Sequence, residues 1–416
     1  MKRTFALRYR FFVLFAVCLL FIFGIRQYYH SDSYRDALIR IAQLRLQELN
    51  QGYNAETTKA DLNLDIGNAS TIDLASYSKR LLATSRAILG RSYRRGPSRS
   101  LRNALGSTAN ALMLHEDGGL LTYENRSLGQ SLGHRIVTNQ RNKSELFKEA
   151  PYFEVWGKQN PEWGYNVYDD ADMAGWMDDH APATALQEAF YELPRDVMRS
   201  DLFRYLSIFQ GGGLYTDSDT CSILPISAWD HNSTIDLTDP TLAYVTAEFR
   251  RHRNLKEECL YVNKCAPQLI VAIESHPQAW RDIHYCGLQV VQYTFGATPG
   301  HPTLLDAISS IVLNSHNISS ERGAADLDSK VFQYTGPCLW AESVWRYLHA
   351  RWGFDFRQLD GALIMQPVRV GDVLIFPFEA FGAWYSGYKE GWQDQGPEAR
   401  VWHGANGRWR KQDRPG

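Results

Sequence analysis

The chain has 416 residues, with 44 basic and 46 acidic side chains and a formal charge of −2. That length holds one large catalytic domain with appendages, and the near-neutral charge excludes a general nucleic-acid binder, which needs a basic field. Its 12 tryptophans and 22 tyrosines suit a sugar-handling cleft, though a large α/β core would hold many aromatics as well.

Lys2, Arg3, Arg8 and Arg10 precede an unbroken apolar run from Phe11 to Ile25, and Arg26 follows. At about 1.5 Å per residue the run is short for an average bilayer and long enough for a thin one. A cleaved signal peptide is the rival. Bulky Phe21, Ile22 and Phe23 leave no clean small-x-small cleavage site, which favours an uncleaved anchor. The expectation is a cytosolic tail at 1–10, a transmembrane signal anchor at 11–25 and a lumenal remainder, by the positive-inside rule. Sequons at Asn68, Asn125, Asn142, Asn232 and Asn317 fit lumenal glycosylation. Of six cysteines, Cys18 lies in the anchor run, leaving Cys221, Cys259, Cys265, Cys286 and Cys338, an odd set. Cys259 and Cys265 are close enough to staple a local loop in an oxidising lumen, but spacing does not fix the pairing.

Residues 26–130 read as a helical stem. Leu38, Ile41, Leu44, Leu46 and Leu49 follow a helical pattern, Asn50 to Ser78 is largely polar, and Arg91 to Arg102 reads as a basic linker. A folded domain is expected over 131–412. His134 to Asn139 and Asn166 to Asp170 read as strands, with Asp169 and Asp170 capping the next helix. Met177 to Phe190 reads as a helix broken by Pro182. Pro194 opens another helix, on which Met198, Leu202, Tyr205, Leu206 and Phe209 keep a 3.6-residue period. Gly211, Gly212 and Gly213 end it, Leu214 to Thr216 is a short buried strand, and Asp217 and Asp219 follow.

Two carboxylates at a strand end can cradle a hard divalent ion, or merely cap a turn. An EF-hand is excluded, because its glycine and closing glutamate would fall on Ser222 and Ala228. Further strands are expected at Leu242–Thr246, Leu269–Glu274, Gln289–Phe295 and Asp372–Pro377. Glu248 to Cys265, with its basic run Arg250–Arg253, reads as a surface insertion. Gly300-His301-Pro302 turns into a helix, and Thr335-Gly336-Pro337 precedes another. Alternating strands and helices argue for an α/β fold with a mixed, mostly parallel sheet, whose strand ends carry the ligand.

The run Asp201-x-x-Arg204-Tyr205, paired glycines, Tyr215-x-Asp217-x-Asp219 resembles the signature of glycosyltransferase family 32. Within that family it is most similar to the fungal initiation-specific alpha-1,6-mannosyltransferases. The order of later elements, and His403 followed by Gly407 and Trp409, extend the likeness over most of the chain beyond about 132. Gly133 replaces the family's usual proline, its usual tryptophan near the first strand's end is missing, and a third glycine joins the pair.

The resemblance implies a GT-A fold, Rossmann-like with a mixed sheet. It also implies a metal-dependent retaining mannosyltransferase that takes GDP-mannose and Mn2+. Asp217 and Asp219 would be catalytic and, with His403, hold the metal; Asp217 could also bind ribose. Asp201, Arg204, Tyr215, Thr335 and Gly336 would contact the donor. The implied setting is the Golgi membrane, single-pass type II. The acceptor would be an N-linked glycan in alpha-1,6 linkage, with other mannosyltransferases as partners. The alternatives are a family 32 transferase acting on inositol phosphorylceramide or using a UDP-sugar, and a catalytically silent scaffold. No nucleophile is evident: Glu274 and Glu342 lie near matched segments, and front-face attack without a nucleophile stays open.

Overall fold

The computed structural model describes residues 74–89, 96–113, 127–143, 151–229, 266–274, 289–320, 327–352, 367–382 and 399–404. The expected anchor at 11–25, the helical pattern of 34–49, the strand at 242–246, Asn68, Asn125, Asn232, Cys259, Cys265 and Cys286 lie outside them. Among the described residues no helix is long and apolar enough to cross a membrane.

Nine strands are described: β1 Arg135–Asn139, β2 Gly164–Tyr168, β3 Gly213–Thr216, β4 Thr220–Ser222, β5 Leu269–Ala272, β6 Thr294–Ala297, β7 Val368–Val370, β8 Val373–Phe376 and β9 Val401–His403. Seven form one sheet in the order β2-β1-β3-β6-β5-β8-β7, and β4 pairs with β9. Strands β1, β2, β3, β5 and β8 run one way, while β6 and β7 run against them. The sheet is mixed, as expected, but not mostly parallel. Three pairings are parallel and three antiparallel. Alternating elements leave strand direction open, and β6 enters antiparallel between β3 and β5.

The helices are α1 Leu74–Leu89, α2 Arg99–Met113, α3 Leu128–Leu132, α4 Pro151–Gln159, α5 Asp170–His180, α6 Ala185–Glu192, α7 Asp196–Gly211, α8 Pro302–Ser320, α9 Leu327–Tyr334, α10 Pro337–Trp352 and α11 Phe378–Phe381. The two-residue period of the strands splits their side chains between two faces. Ile136, Leu214, Ile270, Ala272, Leu374 and Phe376 pack with Trp156, Trp229 and Phe381 on one face. On the other, Tyr215 and Phe295 stack with Tyr205 of α7 and Trp340 of α10.

The expected helix over Met177–Phe190 is two, α5 and α6, parted at Ala181–Thr184 around Pro182. Asp169 caps α5, accepting from Asp172 N–H at 2.9 Å, and the Asp172 carboxylate accepts from Asp169 N–H in return.

Helix α7 is buried on nearly every side, and its C-terminus sets the site. Gly212 has φ 66° and Gly213 φ 112°, a region that L side chains rarely adopt. A Cβ on Gly212 would come within 2.8 Å of Leu132 O, and one on Gly213 would strike Arg135 O. The Arg135 guanidinium donates to Ser207 O at 2.8 Å and Gly212 O at 3.2 Å, closing the helix end. Arg135, at the start of the first strand, thus serves the turn.

Residues 26–130 do not all behave as a spacer. Helix α1 packs on α8 and α10, and α2 on α7 and α8. Thr108 Oγ1 donates to Gly300 O at 2.6 Å, where Gly300 turns at φ 76° against Ala104. In that Gly-His-Pro turn, His301 Nε2 sits 3.1 Å from Asp372 Oδ2, which also accepts from Tyr347 at 2.7 Å. Residue 131 therefore marks the approach to the sheet, while packed structure already includes 74–89 and 96–113. Cys221 is buried and free, with its thiol pushed up to about 12 by burial. Cys338 is disulfide-bonded, with its partner outside the described residues.

Candidate active site

The five co-directional strands end at one edge of the sheet, where open α/β sheets bind ligands. Strand β3 ends at Thr216 and delivers Asp217 there. The chain then turns through Ser218 and Asp219 into β4, which pairs antiparallel with β9, setting Thr220 opposite His403. Gly404 N–H donates to Asp219 O at 2.8 Å. This small second sheet carries a histidine from the far end of the chain to the two aspartates.

Asp217, Asp219 and His403 offer ligand atoms that all lie within 4.8 Å of one another. His403 Nε2 is 3.5 Å from Asp219 Oδ1. Its ring stacks on Tyr293 at 3.8 Å between centroids and 22° between planes. Its Nδ1 is buried with no hydrogen-bond partner among the described residues. Two carboxylates, an imidazole and an orphaned ring nitrogen fit a divalent cation. The electrostatics agree. Burial pushes the Asp217 carboxyl up, against the pull of Arg204. Burial also works against a charged His403, but Asp219, Asp217 and Glu274 overcome it and raise its pKa. Protons held there give way to a bound cation.

Behind Asp217 lies a buried network. Asp201, 2% exposed, takes Arg204 Nη2 on Oδ1 at 2.9 Å and the Thr335 hydroxyl on Oδ2 at 2.7 Å. Arg204 Nη1 lies 3.4 Å from Asp217 Oδ1 and donates to Gln292 O at 3.3 Å. Its guanidinium covers the Tyr215 ring at 4.7 Å. The Tyr215 hydroxyl sits between Asp217 Oδ1, at 2.6 Å, and Asn139 Oδ1. Gln292 Nε2 donates to Tyr205 Oη at 2.6 Å and Thr335 O at 3.0 Å.

Asp201, Arg204, Tyr215 and Thr335, the residues expected to contact the donor, are thus brought together behind Asp217: both oxygens of Asp201 are engaged by Arg204 and Thr335, and Arg204 and Tyr215 reach Asp217 itself. Gly336 serves the tight turn from α9 to α10; a Cβ there would come within 2.8 Å of Phe332 Cα and Val331 O. Glu342 is drawn away, pairing at 3.2 Å with Arg346, which is bonded to Asp306 between α10 and α8. Asn142 and Asn317 are exposed. Asn139, Gln292 and Tyr293 carried no sequence-based role. The available signal was position: Asn139 ends β1, and the other two lead into β6 at the same edge.

Residues 147–236 match the family described as "Glycosyltransferase sugar-binding region containing DXD motif". The chain is 27% identical over 280 residues to the initiation-specific alpha-1,6-mannosyltransferase of Schizosaccharomyces pombe, covering 65% of this chain and 62% of that protein. The protein of the same name from Candida albicans is 24% identical over 252 residues, 55% of this chain and 59% of its own length. That of Saccharomyces cerevisiae is 29% identical over 189 residues, 42% and 37% respectively. The chain spans less than two thirds of each of these relatives. The matches bear out the resemblance carried by the stretch from Asp201 to Asp219.

Proposed function

We propose that this glycosyltransferase family 32-like protein transfers mannose from GDP-mannose to a glycan, with Mn2+ held by Asp217, Asp219 and His403. The observation that carries the reading is that cluster, whose two aspartates lie in the matched sugar-binding region and which His403 closes at the strand edge, backed by the Asp201–Arg204–Tyr215 network. A divalent cation there offsets charge on the departing diphosphate as a Lewis acid.

The chain's own residues do the rest. Arg204 and the Tyr215 hydroxyl fix the Asp217 carboxylate, so its lone pairs are aligned before the donor arrives. Asp219 and the ring of His403, steadied by Tyr293, complete the cradle. An alpha-1,6 linkage follows the names of the relatives; retention of configuration and an N-linked glycan acceptor follow the resemblance to glycosyltransferase family 32 carried by the stretch from Asp201 to Asp219. A single-pass type II setting in the Golgi membrane, among other mannosyltransferases, follows the basic-then-apolar N-terminus and the sequons.

The test is to incubate the full chain and Mn2+ with a panel of sugar nucleotides and glycan acceptors, then determine the linkage of the product. Mannose transferred from GDP-mannose in alpha-1,6 linkage is the expected result. Turnover of UDP-sugars alone, or transfer to inositol phosphorylceramide alone, would replace this reading with its alternatives. No turnover with any donor would leave a scaffold.

A further inference from the structure

We propose that Glu274 is the carboxylate that receives the attacking hydroxyl of the acceptor; the inference rests on the transferase reading above. The strand edge carries Asn139 at the end of β1, Asp217 after β3, Tyr293 before β6 and Glu274 after β5. Asp217 belongs to the cation cradle, and Asn139 is bound to Tyr215. Glu274 is an acid on the same edge that neither the cradle nor its supporting network uses.

It is also a held group. Its backbone N–H donates to Gln289 O at 2.8 Å, Val291 N–H donates to Ala272 O at 2.8 Å, and Ile273 bridges Val290. The buried side chain of Gln289 donates to Glu274 Oε2 at 2.5 Å. Among the described residues Oε1 has no hydrogen-bond partner, and the side chain is partly open to solvent. One oxygen is thus fixed and the other left for an outside donor.

The charges around it narrow the choice of that donor. His403, Asp217 and the phenol of Tyr293 all feel the Glu274 charge. The carboxylate therefore shares the strand edge, and the electrostatic field, of the cradle. A carboxylate repels phosphate and accepts a hydrogen bond from a neutral hydroxyl. Burial raises its pKa to about 7, against the pull of Gln289 and His403 and with a push from Asp217. A base poised near neutrality suits the taking of a hydroxyl proton.

The step balances as follows. The bond from the anomeric carbon to the phosphate oxygen breaks, and its electron pair leaves on GDP. The acceptor oxygen bonds the anomeric carbon, and its proton passes to Glu274. Glu274 and the cradle share one strand edge, and a hydroxyl arriving on the face the diphosphate leaves keeps the anomeric configuration.

The test compares wild type, Glu274→Gln and Glu274→Ala as full chains with Mn2+, GDP-mannose and an alpha-mannoside acceptor. Glutamine can still accept the bond from Gln289, so the first variant guards against a folding defect. Both variants are expected to bind GDP-mannose as wild type and to lose transfer by about 10²- to 10³-fold. With Mn2+ kept saturating at every pH, so that proton competition at Asp217 and His403 does not shape the profile, the wild-type kcat/KM should fall on the acid side, and Glu274→Gln should lack that limb. Wild-type transfer in Glu274→Gln, an unchanged acid limb, or a loss of donor binding equal to the loss of transfer would overturn the role. A wild type inert to GDP-mannose would sink the donor reading instead, and the comparison then runs on whichever sugar nucleotide it hydrolyses.

Discussion

The hydroxyl of Tyr215 lies between Asn139 Oδ1 on β1 and Asp217 Oδ1 of the cation cradle, with one proton to donate to either. Tyr215→Phe keeps the ring under Arg204 and removes that hydroxyl. Mn2+ affinity should fall about 10-fold, as for other partners that orient a metal ligand, with the melting temperature little changed. Calorimetric titration checks the first and thermal denaturation the second. The raised pKa values of Asp217 and His403 give a second expectation. Without a cation both groups keep protons to higher pH than usual, so cation binding must release them. Mn2+ affinity should drop as pH falls, with more protons released per ion at pH 6 than at pH 8. Titration in buffers of different ionisation enthalpy measures that release; a pH-independent affinity would contradict the assignment. Asp217 and Asp219 were legible as a pair because they are neighbours in sequence. The tie between Asp201 and Thr335 was not, since it spans α7 and the α9–α10 turn.

The turn from α7 into β3 aims Asp217, and it does so with backbone that only glycine accepts freely. Gly213→Ala adds a side chain at φ 112° and against Arg135 O. A loss of about 2–4 kcal/mol is expected, read from chemical denaturation, together with loss of transfer. A second element-scale joint is Asp372, which accepts from His301, Tyr347 and, at 2.9 Å, Trp352. Burial opposes its charge, but those partners win and hold its carboxyl below the usual range. Its contribution is therefore present above the unfolded carboxylate value and lost as pH falls through the lower folded one. Asp372→Ala should cost about 3–5 kcal/mol and leave GDP-mannose affinity unchanged, which distinguishes a joint from a donor contact. The Gly-His-Pro turn was legible as a motif. Its partners on α2, α10 and the β7–β8 turn were not, because loop spacing does not say what a turn packs against.

At the scale of the whole molecule, local patterns exposed most elements, and long-range pairing hid the way they assemble. Helix α7, the glycine turn, β3 and the Asp169 cap follow from spacing and residue type. The antiparallel entry of β6, the pairing of β4 with β9 and the stack of His403 on Tyr293 depend on contacts between distant segments. The same limit hid the docking of α1 and α2, whose polar, basic flanks read as linker. Removing them would uncover the packed faces of α7 and α8 and strip Thr108 from the Gly300 turn. A chain beginning at residue 131 should aggregate, whereas one beginning before α1 should unfold cooperatively on heating. Equal solubility and melting of the two would show that α1 and α2 are only a spacer.

The cradle of Asp217, Asp219 and His403 is the claim on which the rest depends. Its most direct test is a calorimetric titration of Mn2+ into the full chain in the presence of GDP, for wild type and Asp219→Ala. The expected result is one site in wild type that GDP tightens, and no such site in a variant that melts as wild type does. An Asp219→Ala chain that takes up Mn2+ and GDP as tightly as wild type would contradict it.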